Sequence, residues 1–190
     1  MIPPIVSAAH VLAAPDPRRV LVDVRWYLDG RSGRAAYEAG HIAGAVFADV
    51  DTDLSATDLP DTEGRHPLPS PAAFAAAMSR LGIGDDTVVV AYDDTGGVTA
   101  GRLVVMLRML GRSAALLDGG LGAWIADGRP VEVGPSSAAA APAKFTASEW
   151  PTGRLASADE AADFAANGGA VLDSRARERF TGEQVLIDPR

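Results

Sequence analysis

The segment Tyr92-Asp93-Asp94-Thr95-Gly96-Gly97-Val98-Thr99 follows a β-branched run and leads into a helical pattern. A strand, a glycine-containing loop and a helix start turn loop N–H groups and the positive end of a helix dipole toward one point, which makes an anion cradle. The first residue of such a cradle sets its chemistry, and a cysteine there would be held as a reactive thiolate. Here the position falls to Asp93 or Asp94, the count differing by one from either side. A carboxylate fills the cradle with its own charge, which stabilises the loop and repels an anionic substrate. A phosphate-binding loop is disfavoured because no Gly-Lys-Ser/Thr follows. An aspartate nucleophile of the phosphatase type is the alternative chemistry, although its paired Asp-x-Asp spacing is absent from the loop.

Arg175, Arg177 and Arg179 come directly after an apolar run, with Arg190 beyond them. Planar guanidiniums at this spacing could clamp a small carboxylate or sulfonate. Asp173, Glu178, Glu183 and Asp188 balance them in count, so a surface mesh of ion pairs is the competing reading. Asp49-Val50-Asp51-Thr52-Asp53 suggests a calcium loop, but Leu54 stands where the sixth-position glycine belongs and Pro60 where the closing glutamate belongs. A solvated acidic loop is expected instead. Gly40-His41-Ile42-Ala43-Gly44-Ala45 is a tight turn entering a strand, where His41 reads as a structural hydrogen-bonder rather than a base.

The three histidines, His10, His41 and His66, lack the i, i+4 spacing of a helical zinc motif, so neither a metal nor another cofactor is expected. The absence of cysteine excludes disulfides, thiolate-bound zinc and a cysteine nucleophile within these 190 residues. A net charge of −8 argues against nucleic acid or an anionic membrane as the main partner. No run approaches the ~20 apolar residues of a membrane span, and Met1-Ile2-Pro3-Pro4 lacks the pattern of a signal peptide, so a cytoplasmic protein is expected.

The elements that must position these groups alternate. Val20 to Val24, Ala45 to Phe47, Thr87 to Tyr92 and Ala114 to Leu117 are short apolar runs of the kind buried in parallel sheets. Helices are expected over Pro71 to Leu81, with Ser70 as N-cap and Gly82 as stop, over Val98 to Leu110, and over Leu121 to Ala126. The fold class is therefore α/β, a central parallel sheet flanked by helices on both faces. Residues 134–143 (GPSSAAAAPA) read as a linker. Beyond it, Ser157 and Glu160 form a capping box for a helix to about Asn167, and Ala170 to Asp173 reads as a strand.

At a shift of 150 residues the chain repeats. Ser7 to Arg25 (SAAHVLAAPDPRRVLVDVR) aligns without a gap on Ser157 to Arg175 (SADEAADFAANGGAVLDSR), each closing on Asp-x-Arg. A unit of this length is domain-sized, so the expectation is one complete domain followed by the opening of another.

These pieces together resemble the tandem-domain rhodanese family, the thiosulfate and 3-mercaptopyruvate sulfurtransferases. The resemblance rests on Leu21 to Arg25, Gly40 to Ala45, Val88 to Gly97, Leu117 to Gly120 followed by Trp124, Leu172 to Arg175, and Arg179 to Gly182. It implies a catalytically silent rhodanese-like domain over residues 1–133, the linker 134–143, and the start of a second, catalytic copy over 144–190. It also implies transfer of a sulfane sulfur from thiosulfate or 3-mercaptopyruvate to cyanide or a thiol. The carrier would be a cysteine persulfide expected after Arg190, which leaves the 190-residue chain inactive on its own. Asp93, Asp94, Gly96 and Gly97 would then be a degenerate active-site loop, with Arg179 and, less directly, Arg190 binding substrate. The implied partners are a small anionic sulfur donor and the remainder of the second domain, joined to this chain or separate after cleavage at the Asp-Pro-Arg sequence. A cysteine-free binding or regulatory module of the same fold is the alternative.

Overall fold

Apolar runs that alternate with capped helices leave the central strands needing cover on both faces, and the fold supplies it. In the computed structural model, which describes residues 2–13, 15–60, 64–136 and 143–183, the chain divides into two units, Met1–Trp150 and Pro151–Arg190. The first unit holds β1 (Ile5–Val6), β2 (Arg19–Asp23), β4 (Val46–Phe47), β5 (Val88–Tyr92) and β6 (Ser113–Leu117) in one parallel sheet of order β1-β6-β5-β2-β4. β3 (His41–Ile42) pairs antiparallel with β7 (Val131–Glu132) in a separate ribbon.

Alternate residues of the central strands face opposite cores. Val22, Val89, Ala91 and Ala114 meet Phe74 and Met78 of α3 (Pro71–Arg80) and Leu103 and Leu107 of α4 (Val98–Met109). Val90, Tyr92, Ala115 and Leu117 meet Val11 of α1 (Ala8–Ala13) and Leu121 and Trp124 of α5 (Gly120–Ala126). Burial on both faces explains why these strands read as continuous apolar runs rather than alternating ones. The strands and helices expected in this unit are present within a residue or so of their expected ends. α2 (Gly33–Ala39), not anticipated from the sequence, is capped by the Ser32 hydroxyl, which accepts from the Ala35 N–H.

Residues 143–150 pack along the first unit. The Phe145 and Trp150 rings lie 5.7 and 5.2 Å from that of Phe74, and the Trp150 indole N–H donates to the Pro69 carbonyl at 2.8 Å. Of the expected linker, residues 137–142 lie outside the described residues.

In the second unit, α6 (Ala158–Ala166) carries both halves of the expected capping box. The Ser157 hydroxyl accepts from the Glu160 N–H at 3.2 Å, and the Glu160 carboxylate accepts from the Ser157 N–H at 2.7 Å. α7 spans Arg177–Phe180. The strand expected over 170–173 does not form, and Leu172 is 89% exposed. The reason is register. Arg19–Asp23 is a strand because β5 and β4 bond it on either side, and the described residues of the second unit offer its counterpart no such neighbours.

Candidate functional site

The sheet order places the site. From β2 the chain crosses to β4 at one edge, whereas from β5 it crosses to β6 in the opposite direction. The carboxyl ends of β2 and β5 therefore flank a topological switch point, where open α/β sheets form their binding crevice. Two loops leave there, one after Asp23 and one after Tyr92, which are paired in register.

Asp93, 1% exposed, settles which residue fills the cradle. Its Oδ1 accepts from the Thr95 and Gly97 N–H groups at 2.9 and 2.8 Å. Its Oδ2 accepts from the Thr99 and Ala100 N–H groups, both at 2.9 Å, and from the Thr99 hydroxyl at 3.1 Å. Burial alone would raise the Asp93 carboxyl, but donation from Ala100, Gly97, Thr95 and Thr99 outweighs it and holds the group below its ordinary range. The loop closes this tightly because Gly97 sits at φ +87°, and a Cβ there would stand 2.5 Å from Leu116.

Asp94 points outward and accepts from the Tyr27 hydroxyl at 2.7 Å, so the β5 loop is latched to the β2 loop across the crevice. Asp93 occupies the cradle and Asp94 shuts its mouth.

Beneath the crevice lies a buried polar network. Asp23 is fully buried and clasps Arg25, whose backbone N–H and Nε both donate to Asp23 Oδ1 at 3.0 Å. Arg25 Nη2 reaches Asp23 Oδ2 at 2.8 Å and the Gly40 carbonyl at 2.7 Å. Burial raises the Asp23 carboxyl against the pull of Arg25, and burial beside Asp23 raises the Tyr92 phenol. His41 is as structural as its turn suggested, with Nδ1 2.8 Å from the Tyr37 carbonyl and Nε2 3.0 Å from Glu132 Oε1. The Asp49–Asp53 loop is solvated at Asp51 and Thr52, as expected, but not at Asp53, which is buried, accepts from the Asp49 N–H and pairs with Arg80 of α3. Among the described residues no group of three or more His, Cys, Asp or Glu could hold a metal ion.

The sequence reading missed a cluster on the same rim. His66 Nε2 lies 2.8 Å from Asp51 Oδ1, and the Trp26 indole N–H donates to both Asp51 oxygens at 3.1 and 3.0 Å. The Trp26 and His66 rings meet edge-on at 5.0 Å. A cavity of about 330 Å³ opens beside them, lined by Trp26, Arg31, Arg34, Phe47, Asp51 and Arg65. The imidazole is thus fixed between a carboxylate and an indole at the edge of the cavity. The available signal was weak: one of only three histidines, in a loop without periodicity.

In the second unit Asp173 and Arg175 repeat the Asp23–Arg25 clasp. The Arg175 N–H and Nε donate to Asp173 Oδ1 at 2.8 and 3.0 Å, here in the open. Arg179 lies on α7, its charge helping to lower the Asp173 carboxyl, which the Arg175 hydrogen bonds lower first. A second cavity is lined by Leu172, Asp173, Arg175, Arg177 and Phe180. Arg190 lies outside the described residues.

Residues 7–127 match the family model described as a rhodanese-like domain. The chain belongs to the rhodanese-like domain family. It is 40% identical over 193 aligned residues to a probable 3-mercaptopyruvate sulfurtransferase of Pseudomonas aeruginosa, with 96% of this chain and 67% of the relative covered. It is 37% identical over 181 residues to a putative thiosulfate sulfurtransferase of Mycobacterium tuberculosis, with 95% and 63% covered. The solved 3-mercaptopyruvate sulfurtransferase from Leishmania major superposes with a TM-score of 0.64 at 34% identity, over 77% of this chain and 40% of that one. This rhodanese-like chain thus spans about two thirds of the length of the curated relatives it matches. No helix among its described residues is long and apolar enough to cross a membrane.

Proposed function

We propose that this chain is the silent first domain, residues 1–133, the linker, 134–143, and the opening of the catalytic second domain, 144–190, of a cytoplasmic sulfurtransferase. The observation that carries the reading is the repeated clasp: Asp-x-Arg closes on itself through the same bonds at Asp23–Arg25 and at Asp173–Arg175. In the first copy the cradle is occupied by Asp93, so the reactive group belongs to the second. The relatives carry both donor names, 3-mercaptopyruvate and thiosulfate, and either is a small anion.

In the proposed reaction a cysteine of the completed second domain, held as a thiolate by the N–H groups of its own loop, attacks the sulfane sulfur. The S–S bond of thiosulfate breaks and sulfite leaves, or the C–S bond of mercaptopyruvate breaks and the departing enolate takes a proton to give pyruvate. The outer sulfur of the persulfide then passes to cyanide or a thiolate, and the cysteine thiolate departs unchanged. Arg179 orients the donor anion, with Arg190 as a second contact.

The test compares thiocyanate and pyruvate production by the 190-residue chain with production by a protein carrying a complete second domain. The chain alone is expected to be inactive and the completed protein active. Turnover by the 190-residue chain, or none by the completed protein, would sink the proposal.

A further inference from the structure

Arg102 is a half-buried guanidinium on α4 with three carbonyls for partners. Its Nε and Nη2 donate to the Leu54 carbonyl at 3.1 and 2.7 Å, and Nη2 also donates to the His66 carbonyl at 2.8 Å and the Pro67 carbonyl at 3.4 Å. Burial lowers its affinity for its proton, and among the described residues no carboxylate lies within ion-pair distance to offset that. Burying an arginine charge is unfavourable unless its fork is satisfied, and here backbone oxygens satisfy it.

Those oxygens belong to two limbs. Leu54 ends the turn that carries Asp51, a turn closed by the Asp49 carboxylate accepting from the Asp51 and Thr52 N–H groups and by the Ser55 hydroxyl donating to the Val50 carbonyl. His66 and Pro67 form the other limb, which meets the first once more where the Ala56 N–H donates to the Pro67 carbonyl at 3.0 Å. One guanidinium therefore fixes Asp51 and His66 in a common frame. That frame is α4, whose first turn is fixed in its place by the Asp93 carboxylate through Thr99 and Ala100.

We propose that Arg102 is the positioning residue of the Asp51–His66 pair, setting the imidazole against its carboxylate from the backbone side. The carboxylate-filled cradle then has a use: it anchors the helix from which Arg102 works.

The positioning is tested on the 190-residue chain by nitrogen–proton spectra of the Trp26 indole and the His66 imidazole. Arg102→Met is expected to shift the Trp26 indole N–H, speed its exchange by about tenfold or more, and average the His66 ring nitrogens between tautomers. Arg102→Lys should restore these signals in part. Arg108→Met removes another α4 arginine that donates to two carbonyls, of Ile2 and Ala114, far along the helix from the pair, and should leave both signals in place. Unchanged Trp26 and His66 signals in Arg102→Met, or equal changes in Arg108→Met, overturn the proposal. Should Arg102→Met fail to fold, Arg102→Lys carries the test. An ammonium cannot span all three carbonyls, so the indole signal must still move, and its staying in place overturns the proposal.

Discussion

Replacing Asp93 by Asn should destabilise the first unit almost as much as replacing it by Ala, although Asn is isosteric. Each carboxylate oxygen accepts from two backbone N–H groups, Oδ1 from Thr95 and Gly97 and Oδ2 from Thr99 and Ala100. An asparagine keeps one acceptor and turns an amide NH2 toward one of those pairs, whichever way it flips. Two backbone donors then face a donor, and each unpaired buried group costs about 1–3 kcal/mol. The lost interaction of the charge with the start of α4 adds about 0.3–1 kcal/mol. The expected loss is about 3–5 kcal/mol, which at a urea slope of about 2 kcal/mol/M lowers the midpoint by roughly 1.5–2.5 M. All three tryptophans, Trp26, Trp124 and Trp150, belong to the first unit, so their fluorescence follows its unfolding. The gap is also pH-dependent. Because the folded-state Asp93 carboxyl is lowered, its contribution is complete above the ordinary carboxylate value near about 4 and is lost as pH falls through the lowered value. Parent and variant should therefore converge in acid. An Asp93→Asn midpoint within about 0.5 M of the parent at neutral pH would refute the account of the cradle as a site filled by its own charge.

The two clasps offer a matched pair. Arg25→Met leaves Asp23 charged and fully buried and should cost about 3–5 kcal/mol, whereas Arg175→Met, at the exposed clasp, should leave the chain's urea midpoint where it is. Within α4, Gly97→Ala should lower the melting temperature, since the left-handed φ and the Leu116 contact together cost about 2–4 kcal/mol. Gly101→Ala, where a Cβ meets nothing within 4 Å, should raise stability by about 0.5–1 kcal/mol in the same melt. In the completed enzyme, Arg179→Ala should raise KM for thiosulfate or mercaptopyruvate, and an unchanged KM removes Arg179 from the site.

How far the sequence carried the reading depended on whether a signal was local. The strands over 19–23, 88–92 and 113–117 are legible because burial on both faces makes each a continuous apolar run between turns. Strands β1 and β7 are not, because two residues carry no periodicity and their pairing is decided by distant partners. Helix α2 was legible, with Ser32 as cap and Gly40 as stop, and was passed over. The choice between Asp93 and Asp94 could not be made by counting, since it turns on where β5 ends, and that follows from the register of Tyr92 against Asp23. The pairing of His66 with Asp51 was out of reach for a different reason. The two are joined through a loop with no period, and what holds them is a guanidinium from another helix.

The twin Asp-x-Arg clasps separate what local sequence does from what the sheet does. Asp173 and Arg175 close on each other at an exposed position where, among the described residues, no strand pairs with 170–173, so the clasp does not require the sheet. The clasp does not make a strand, for among the described residues nothing pairs with 170–173, while their counterparts lie between β4 and β5. A clasp that needs no sheet neutralises the aspartate whether or not it is buried. At Asp23 the core therefore holds a hydrogen-bonded ion pair rather than a bare carboxylate, and the desolvation penalty is correspondingly smaller. The motif thus holds a charge in the centre of a parallel sheet, directly under the crevice at the switch point. In the first copy that charge fixes Arg25 onto the Gly40 carbonyl and ties the β2 loop to the turn that holds His41.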